Sequence, residues 1–273
     1  MIEAMSLCFV KDVNLDMIVK DSKATSASGG KHDIITATEA LRQWVDSSNS
    51  QSQVLEDACA IFKEACDKNL AERCLAAKNG AYTVLMSALD KVSSQHPELL
   101  ATILGSLHSF ITGQPDLLDD AGTIALLQLL QSTVDANTAL VLCVLRQCCL
   151  LHESNRQRFV AQGIVGILTK VLKERRADGD VVKGACSLLK SLTLDDDVRV
   201  PFGKSHDHAK LIVDEADGLR LLLELAKGRE DFQLISFKVY LMLRAINGNL
   251  LIEEDTLYGY FVDSCFSLRR PTV

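Results

Sequence analysis

The stretch Gln162-Gly-Ile-Val-Gly-Ile-Leu-Thr-Lys-Val-Leu172 places a glycine directly before an apolar helical pattern. The same arrangement occurs in three more segments, which begin at Asn79, Ala121 and Asp217. The glycines that the four segments share lie 42, 41 and 55 residues apart and are Gly80, Gly122, Gly163 and Gly218. A repeat period just above 40 residues is typical of solenoids built from stacked helical units.

A second apolar helical pattern follows each of these segments. Its core positions recur at i, i+4 and i+7, which places one apolar stripe on each helix. The four stripes are Ile103, Leu107 and Phe110; Val141, Leu145 and Cys148; Ala185, Leu189 and Leu192; and Val239, Leu243 and Ile246. Glycine permits a sharp turn between two helices because it has no Cβ to clash. Each repeat is therefore expected to contain a short polar helix, a glycine turn and two longer helices.

The composition agrees with an all-α protein. Hydrophobic residues make up 48% of the 273 residues, but aromatic residues only 5%, and the 4 Pro and 15 Gly are too few for a many-turned β-fold. The net charge of −7 gives no general attraction to nucleic acid or anionic membranes. No run of about 20 apolar residues occurs, and the first residues lack the basic flank of a signal peptide. We therefore expect a soluble cytoplasmic or nuclear protein without nucleic-acid or membrane partners.

Several segments outside the stripes carry a resemblance to a known family. They are Gly113-Gln-Pro-Asp-Leu-Leu-Asp119, His152-Glu-Ser-Asn-Arg-Gln157, Asp195-Asp-Asp-Val-Arg-Val-Pro-Phe-Gly203 and His206-Asp-His-Ala-Lys210. Together with the repeats they resemble the armadillo repeat family, and Asn14-Leu-Asp-Met-Ile-Val-Lys20 is similar to a segment ahead of the repeats in one member. The resemblance implies a right-handed superhelical solenoid of about four repeats in an intracellular, non-catalytic interaction protein. Because a longer N-terminal segment and later repeats are missing, the chain resembles a truncated or alternative form.

The repeat pattern divides the chain into four parts. We predict an N-terminal segment with a Ser/Gly linker at 1–33, leading helices at 34–66, armadillo repeats at 67–249 and a non-repeat tail at 250–273. The repeats are expected at 67–112, 113–150, 151–194 and 195–249, the last with an inserted loop at 195–210. Solenoids need a polar cap at each end. We therefore expect a monomer that is able to self-associate through an uncapped C-terminal end.

In an armadillo stack the last helix of each repeat lines a concave face, so that equivalent positions form ladders. The core references for these ladders are Leu107, Leu145, Leu189 and Leu243. The next position is basic in type in every repeat: His108, Arg146, Lys190 and Arg244. The position after it, predicted to face away from the core, is polar in three repeats: Ser109, Gln147 and Ser191. These residues are candidates for binding an acidic or extended partner segment; the alternative is an ordinary solvated helix edge.

The insertion between Asp195 and Lys210 is the second candidate site. Its aspartates with His206 and His208 have donor types that bind divalent metals. Two other interpretations stay open, a loop that contacts a partner and a plain connector whose aspartates cap helices. We include His206 and His208 among the candidate partner-binding residues.

The sequence contains no nucleotide-binding loop or hydrolase motif. Cys148 and Cys149 beside His152 are more typical of packed core thiols than of a nucleophile. We therefore predict a non-catalytic protein-interaction scaffold without a cofactor. The alternatives are a metal-binding or metal-dependent protein that uses the Asp195–His208 loop, and a non-functional truncated form.

Overall fold

The computed structural model of the chain describes residues 33–47, 51–132, 137–214 and 218–228. All regular elements in these ranges are helical. The α-helices are α1 Asp33–Asp46, α2 Ser52–Lys68, α3 Leu70–Lys78, α4 Ala81–Gln95, α5 Leu100–Ile111, α6 Asp120–Ser132, α7 Asn137–Cys149, α8 Glu153–Ala161, α9 Ile164–Glu174, α10 Gly179–Leu192, α11 Ser205–Asp214 and α12 Gly218–Gly228. Short 3-10 helices lie at Pro97–Leu99 and Pro115–Leu117. The predicted N-terminal segment, the tail and Arg244 lie outside the described residues.

The longer helices stack in two layers. Helices α2, α5, α7 and α10 pack against one another in chain order, and we call them the third-helix layer. Helices α1, α4, α6, α9 and α12 pack in the same order in the second layer. This arrangement confirms the prediction of an all-α solenoid.

The apolar stripes form the core between the layers. Each stripe that falls on described residues is buried, from Ile103 on α5 to Leu192 on α10. Burying a side chain of this size contributes about 1.5–3 kcal/mol. The predicted stripe of Val239, Leu243 and Ile246 lies outside the described residues.

The repeat glycines have two different roles. Gly80 and Gly163 precede α4 and α9 with φ of 77° and 81°, a left-handed conformation that glycine adopts without a steric penalty. Gly122 lies inside α6, where an added Cβ would be 2.2 Å from the Tyr82 hydroxyl, and at Gly218 a Cβ would be 2.6 Å from the Ile212 carbonyl oxygen. The turn prediction is therefore right for the first pair. In the second pair, glycine permits close packing.

Helices α1 and α2 continue the two layers at the N-terminal end. Helix α2 packs on α5 as α5 packs on α7. Its buried residues, Ala58, Cys59, Phe62, Ala65 and Cys66, have the same spacing as Ile103, Leu104, Leu107, Phe110 and Ile111 on α5. Phe62 therefore corresponds to Leu107, and α2 adds a fourth described helix to the third-helix layer.

The predicted loop at 195–210 is shorter than expected. Helix α11 begins at Ser205, so that His206 and His208 lie on a helix and not in a loop. This corrects the prediction: α11 occupies the place of the short helix that precedes each pair of longer helices.

No helix in the described part of the chain has the length and apolar character needed to cross a bilayer.

Candidate functional site

The third-helix layer carries a basic register that is one member longer than the sequence suggested. The position after each core reference is Lys63 on α2, His108 on α5, Arg146 on α7 and Lys190 on α10. Lys63, Arg146 and Lys190 are exposed, and His108 is half-buried. We call these four residues the basic ladder. Lys63 was missed because the segment 34–66 was predicted to form leading helices outside the repeats; its position directly after the apolar Phe62 was the available signal.

The next position along these helices is less accessible than predicted. Ser109 is 5% exposed and Ser191 is 2% exposed, while Gln147 is half-buried. The prediction that these positions face solvent is wrong for both serines. Ser109 lies on α5, which α2 and α7 cover on both sides, so the buried arc of this helix is wider than one stripe. Ser191 donates its hydroxyl to the Ser187 carbonyl oxygen at 3.0 Å.

A strip of small side chains lies one helical turn before the basic ladder. Its members are Ala60, Gly105, Cys143 and Ser187, all at least partly accessible. A Cβ added at Gly105 would meet no atom within 4 Å, so the space above it is open. Because residues three apart share a helix face, the strip and the ladder form one continuous surface. We call this surface the ladder face.

His108 lies at the centre of the charged part of this surface. The Gln147 side-chain nitrogen is 3.4 Å from its Nε2 atom. Burial lowers the pKa of His108; Asp67 opposes this shift, and Lys63 and Arg146 reinforce it. The ring is therefore held toward its neutral form.

Asp67 lies at the N-terminal end of the ladder face, where it pairs with Lys63. The Lys63 ammonium donates to its carboxylate at 2.7 Å. The pKa of Asp67 lies below its usual value because Lys63 and the Ser109 hydroxyl both donate to the carboxylate. This part of the face is therefore mixed in charge.

The loop between α10 and α11 is held by Arg156, which is 0% exposed. Its guanidinium donates to the carbonyl oxygens of Cys149 and Leu194 and forms an ion pair with Asp196. It also lies 3.6 Å from the carboxylate of Glu153, which is only 2% exposed. Nothing in a single sequence distinguishes such a buried arginine from a solvated one, so this role of Arg156 was not predicted.

A second group of charges binds the same loop to the preceding repeats. Arg199 pairs with Asp197 and with Asp116, both at 2.8 Å, and His152 contacts Asp116 at 2.8 Å. Asp197 also accepts a bond from the Glu153 backbone N–H at 2.9 Å. The side-chain hydrogen bonds from Arg199, together with this backbone hydrogen bond from Glu153, hold the pKa of Asp197 well below its usual range. These charges tie the loop to the preceding repeats, while its apolar Val198 and Phe202 are almost fully exposed.

The two loop histidines do not form a shared site. His208 is buried, and its Nδ1 is 2.8 Å from the Leu192 carbonyl oxygen, whereas His206 is exposed. Residues two apart on a helix point about 200° from each other. The inclusion of His208 as a partner-binding residue is therefore wrong. Among the described side chains, no group of three or more His, Cys, Asp or Glu is placed to hold a metal ion.

Five of the seven described cysteines are buried and pack as small core side chains. Cys148 and Cys149 are fully buried, and burial raises the pKa of Cys148 to about 12 and that of Cys149 well above its usual value. A thiolate nucleophile is therefore strongly disfavoured at both positions. Among the described cysteines of the third-helix layer, Cys143 is the exposed one. It lies in the strip of small side chains on the ladder face.

The chain matches one protein family over most of its length. The ARMC6 family model matches residues 34–253. Two relatives named Armadillo repeat-containing protein 6, from Pongo abelii and Homo sapiens, are each 38% identical to this chain over 235 residues. These matches cover 82% of this chain and 46% of each relative, so the chain spans about half the length of the curated relatives it matches.

Two solved structures with a similar fold are designed armadillo repeat proteins. A designed armadillo repeat protein in complex with the peptide (KR)4 matches with a TM-score of 0.62 at 15% identity, over 85% of this chain and 95% of that one. Computationally designed armadillo repeat proteins for modular peptide recognition match with a TM-score of 0.61 at 16% identity, over 84% of this chain and 86% of that one. These likenesses confirm the armadillo fold.

Proposed function

This chain belongs to the ARMC6 family of armadillo repeat proteins, and we propose that it is a non-catalytic scaffold that binds an extended, acidic segment of a protein partner. The segment lies along the ladder face. The observation that carries this proposal is the basic ladder itself, which repeats at one register on four consecutive third helices. The armadillo family and fold are typical of protein-interaction scaffolds.

The geometry of the ladder suits an extended chain. Packed helices lie about 8–10 Å apart, and an extended peptide in the polyproline II conformation advances about 3.1 Å per residue, with every third side chain on the same face. Acidic side chains at about every third position of the partner would therefore meet successive members of the ladder. The small side chains of the strip leave room for the partner backbone beside them.

The charge of the ladder determines the class of partner. The designed neighbour is in complex with the basic peptide (KR)4. In this chain the third-helix layer carries Lys63, Arg146 and Lys190, which repel a basic segment and attract a carboxylate. The alternative, that these residues are an ordinary solvated helix edge, predicts no preference between acidic and neutral peptides.

The experiment uses a fluorescent twelve-residue peptide, (Glu-Ser-Thr)4, with (Gln-Ser-Thr)4 and (Lys-Ser-Thr)4 as controls. Fluorescence anisotropy at low salt measures the affinity of each peptide for the full chain. We expect the acidic peptide to bind most tightly and to weaken as salt is added, since surface charge pairs are screened. Equal affinity for the acidic and neutral peptides would contradict the proposal.

Two double charge reversals locate the site. Arg146→Glu with Lys190→Glu should weaken binding of the acidic peptide about tenfold or more. Each change replaces an attraction between opposite charges of about 1 kcal/mol by a repulsion of similar size. The matched control is Lys170→Glu with Lys173→Glu, two exposed positions on α9 in the second layer. It changes the net charge by the same amount. Equal weakening by both pairs would mean that net charge, and not the ladder face, controls binding.

A further inference from the structure

One member of the basic ladder differs from the others in how it acquires charge. Lys63, Arg146 and Lys190 are cationic at neutral pH, whereas a histidine changes charge between about pH 5 and pH 8. His108 is half-buried and lies between α2 and α7. The charge of the central position therefore depends on its surroundings, including any bound segment.

The contact with Gln147 is compatible with a neutral ring. A neutral imidazole offers one unprotonated nitrogen as an acceptor, and the Gln147 amide nitrogen lies 3.4 Å from Nε2 of His108. When both ring nitrogens carry protons, they can only donate. The Gln147 amide must then turn so that its oxygen faces the ring, or give up the contact to an acceptor from a partner.

The charges that act on the ring come from the helices on both sides of α5. Lys63 and Asp67 act from α2, and Arg146 acts from α7. Charged residues on the other elements that pack against α5 are not among those that act on the ring; they are Asp90 and Lys91 on α4 and Glu98 in the preceding 3-10 helix. Lys91 instead donates to carbonyl oxygens at the end of α1, including Trp44 at 3.1 Å. Two cations thus face one anion, and a carboxylate supplied by a partner would change that balance.

We propose that His108 takes up a proton from solvent when an acidic segment binds, so that the affinity of the ladder face rises as the pH falls. The inference rests on the proposed function, because the bound carboxylate is what stabilises the imidazolium. The bound state then has the higher histidine pKa. The gain in affinity is absent above that value, grows as the pH falls, and is complete below the pKa of the free protein.

The test measures the affinity of (Glu-Ser-Thr)4 for the full chain between pH 8.0 and pH 5.5. Glutamate has a pKa of about 4.3, so the peptide stays largely ionised over this range. A neighbouring carboxylate raises a histidine pKa by about one unit or more, which corresponds to an affinity gain of about tenfold.

Three variants separate His108 from other titrating groups. His108→Gln should bind weakly with no pH dependence, and His108→Lys should bind at least as tightly as the parent protein does at pH 5.5, again without pH dependence. His96→Gln is the matched control, because His96 lies at the end of α4 beside Glu98, and it should keep the full pH dependence. Circular dichroism melts of each variant check that the fold is retained.

The outcomes distinguish the two proposals. If the acidic peptide binds no better than (Gln-Ser-Thr)4 at every pH, the proposed function is wrong and the inference falls with it. If the acidic peptide binds preferentially but its affinity does not change with pH, only the role of His108 is overturned. A pH dependence that persists in the His108→Gln variant would likewise overturn the role of His108.

Discussion

Replacing Arg156 with methionine should destabilise the protein by about 3–5 kcal/mol, the cost of removing one partner from a buried ion pair. The side chain is 0% exposed, so the change leaves a buried, uncompensated carboxylate at Glu153. The carbonyl oxygens of Cys149 and Leu194 also lose a donor, and each buried polar group left unpaired costs about 1–3 kcal/mol. Some of this loss is recovered as the loop relaxes and water enters, so we expect the total to stay near the upper end of the first range.

Urea unfolding followed by circular dichroism measures this loss. Tryptophan fluorescence provides a second probe, because the only tryptophan, Trp44, lies on α1 at the other end of the described solenoid. In a solenoid each repeat contacts only its neighbours. The circular dichroism transition should therefore shift to lower urea more than the fluorescence transition does.

A second variant and a control test the cause of the loss. The double variant Glu153→Gln with Arg156→Met should be more stable than the sum of the two single losses predicts, because it removes the stranded charge. Arg220→Met, at an arginine side chain that is 73% exposed, should change the stability by no more than about 0.5 kcal/mol. A loss below 1 kcal/mol for Arg156→Met, or strict additivity in the double variant, would refute the reasoning.

Three further perturbations have defined outcomes. Gly163→Ala should lower the stability by about 1–2 kcal/mol because φ is 81°, whereas Gly166→Ala, in open space inside the following helix α9, should raise it by up to about 1 kcal/mol; thermal melts compare the two. Asp197→Asn should flatten the loss of melting temperature between pH 5 and pH 3, because a carboxylate with a lowered pKa stabilises the fold above its unfolded pKa and loses that contribution as it is protonated. Lys63→Glu should weaken binding of (Glu-Ser-Thr)4 in the anisotropy assay, and unchanged affinity would remove α2 from the ladder face.

The sequence predicted the repeated helical units because the apolar stripes and the glycine spacing recur along the chain. It did not predict how the glycines act. Spacing alone cannot distinguish Gly163, which needs a positive φ, from Gly122, which leaves room for the Tyr82 hydroxyl. That distinction depends on which side chain of a neighbouring repeat approaches the backbone.

The candidate site was predicted in part for a similar reason. His108, Arg146 and Lys190 share a register that is visible in the sequence, because each residue directly follows the central residue of an i, i+4, i+7 stripe. The burial of Ser109 depends on α2 and α7 packing on both sides of α5, which the pattern of one helix does not contain. The histidines at 206 and 208 were assigned to a loop because the insertion was predicted to continue through position 210, whereas α11 begins at Ser205.

The central claim is that an acidic segment occupies the ladder face, and the reactivity of Cys143 tests it most directly. Cys143 is exposed in the strip, and Cys74 on α3 is partly exposed outside it. Mass spectrometry follows the alkylation of both thiols by iodoacetamide with and without saturating (Glu-Ser-Thr)4. We predict that the peptide slows the reaction at Cys143 severalfold and leaves the rate at Cys74 unchanged. An unchanged rate at Cys143 while the peptide is bound would place the binding site elsewhere.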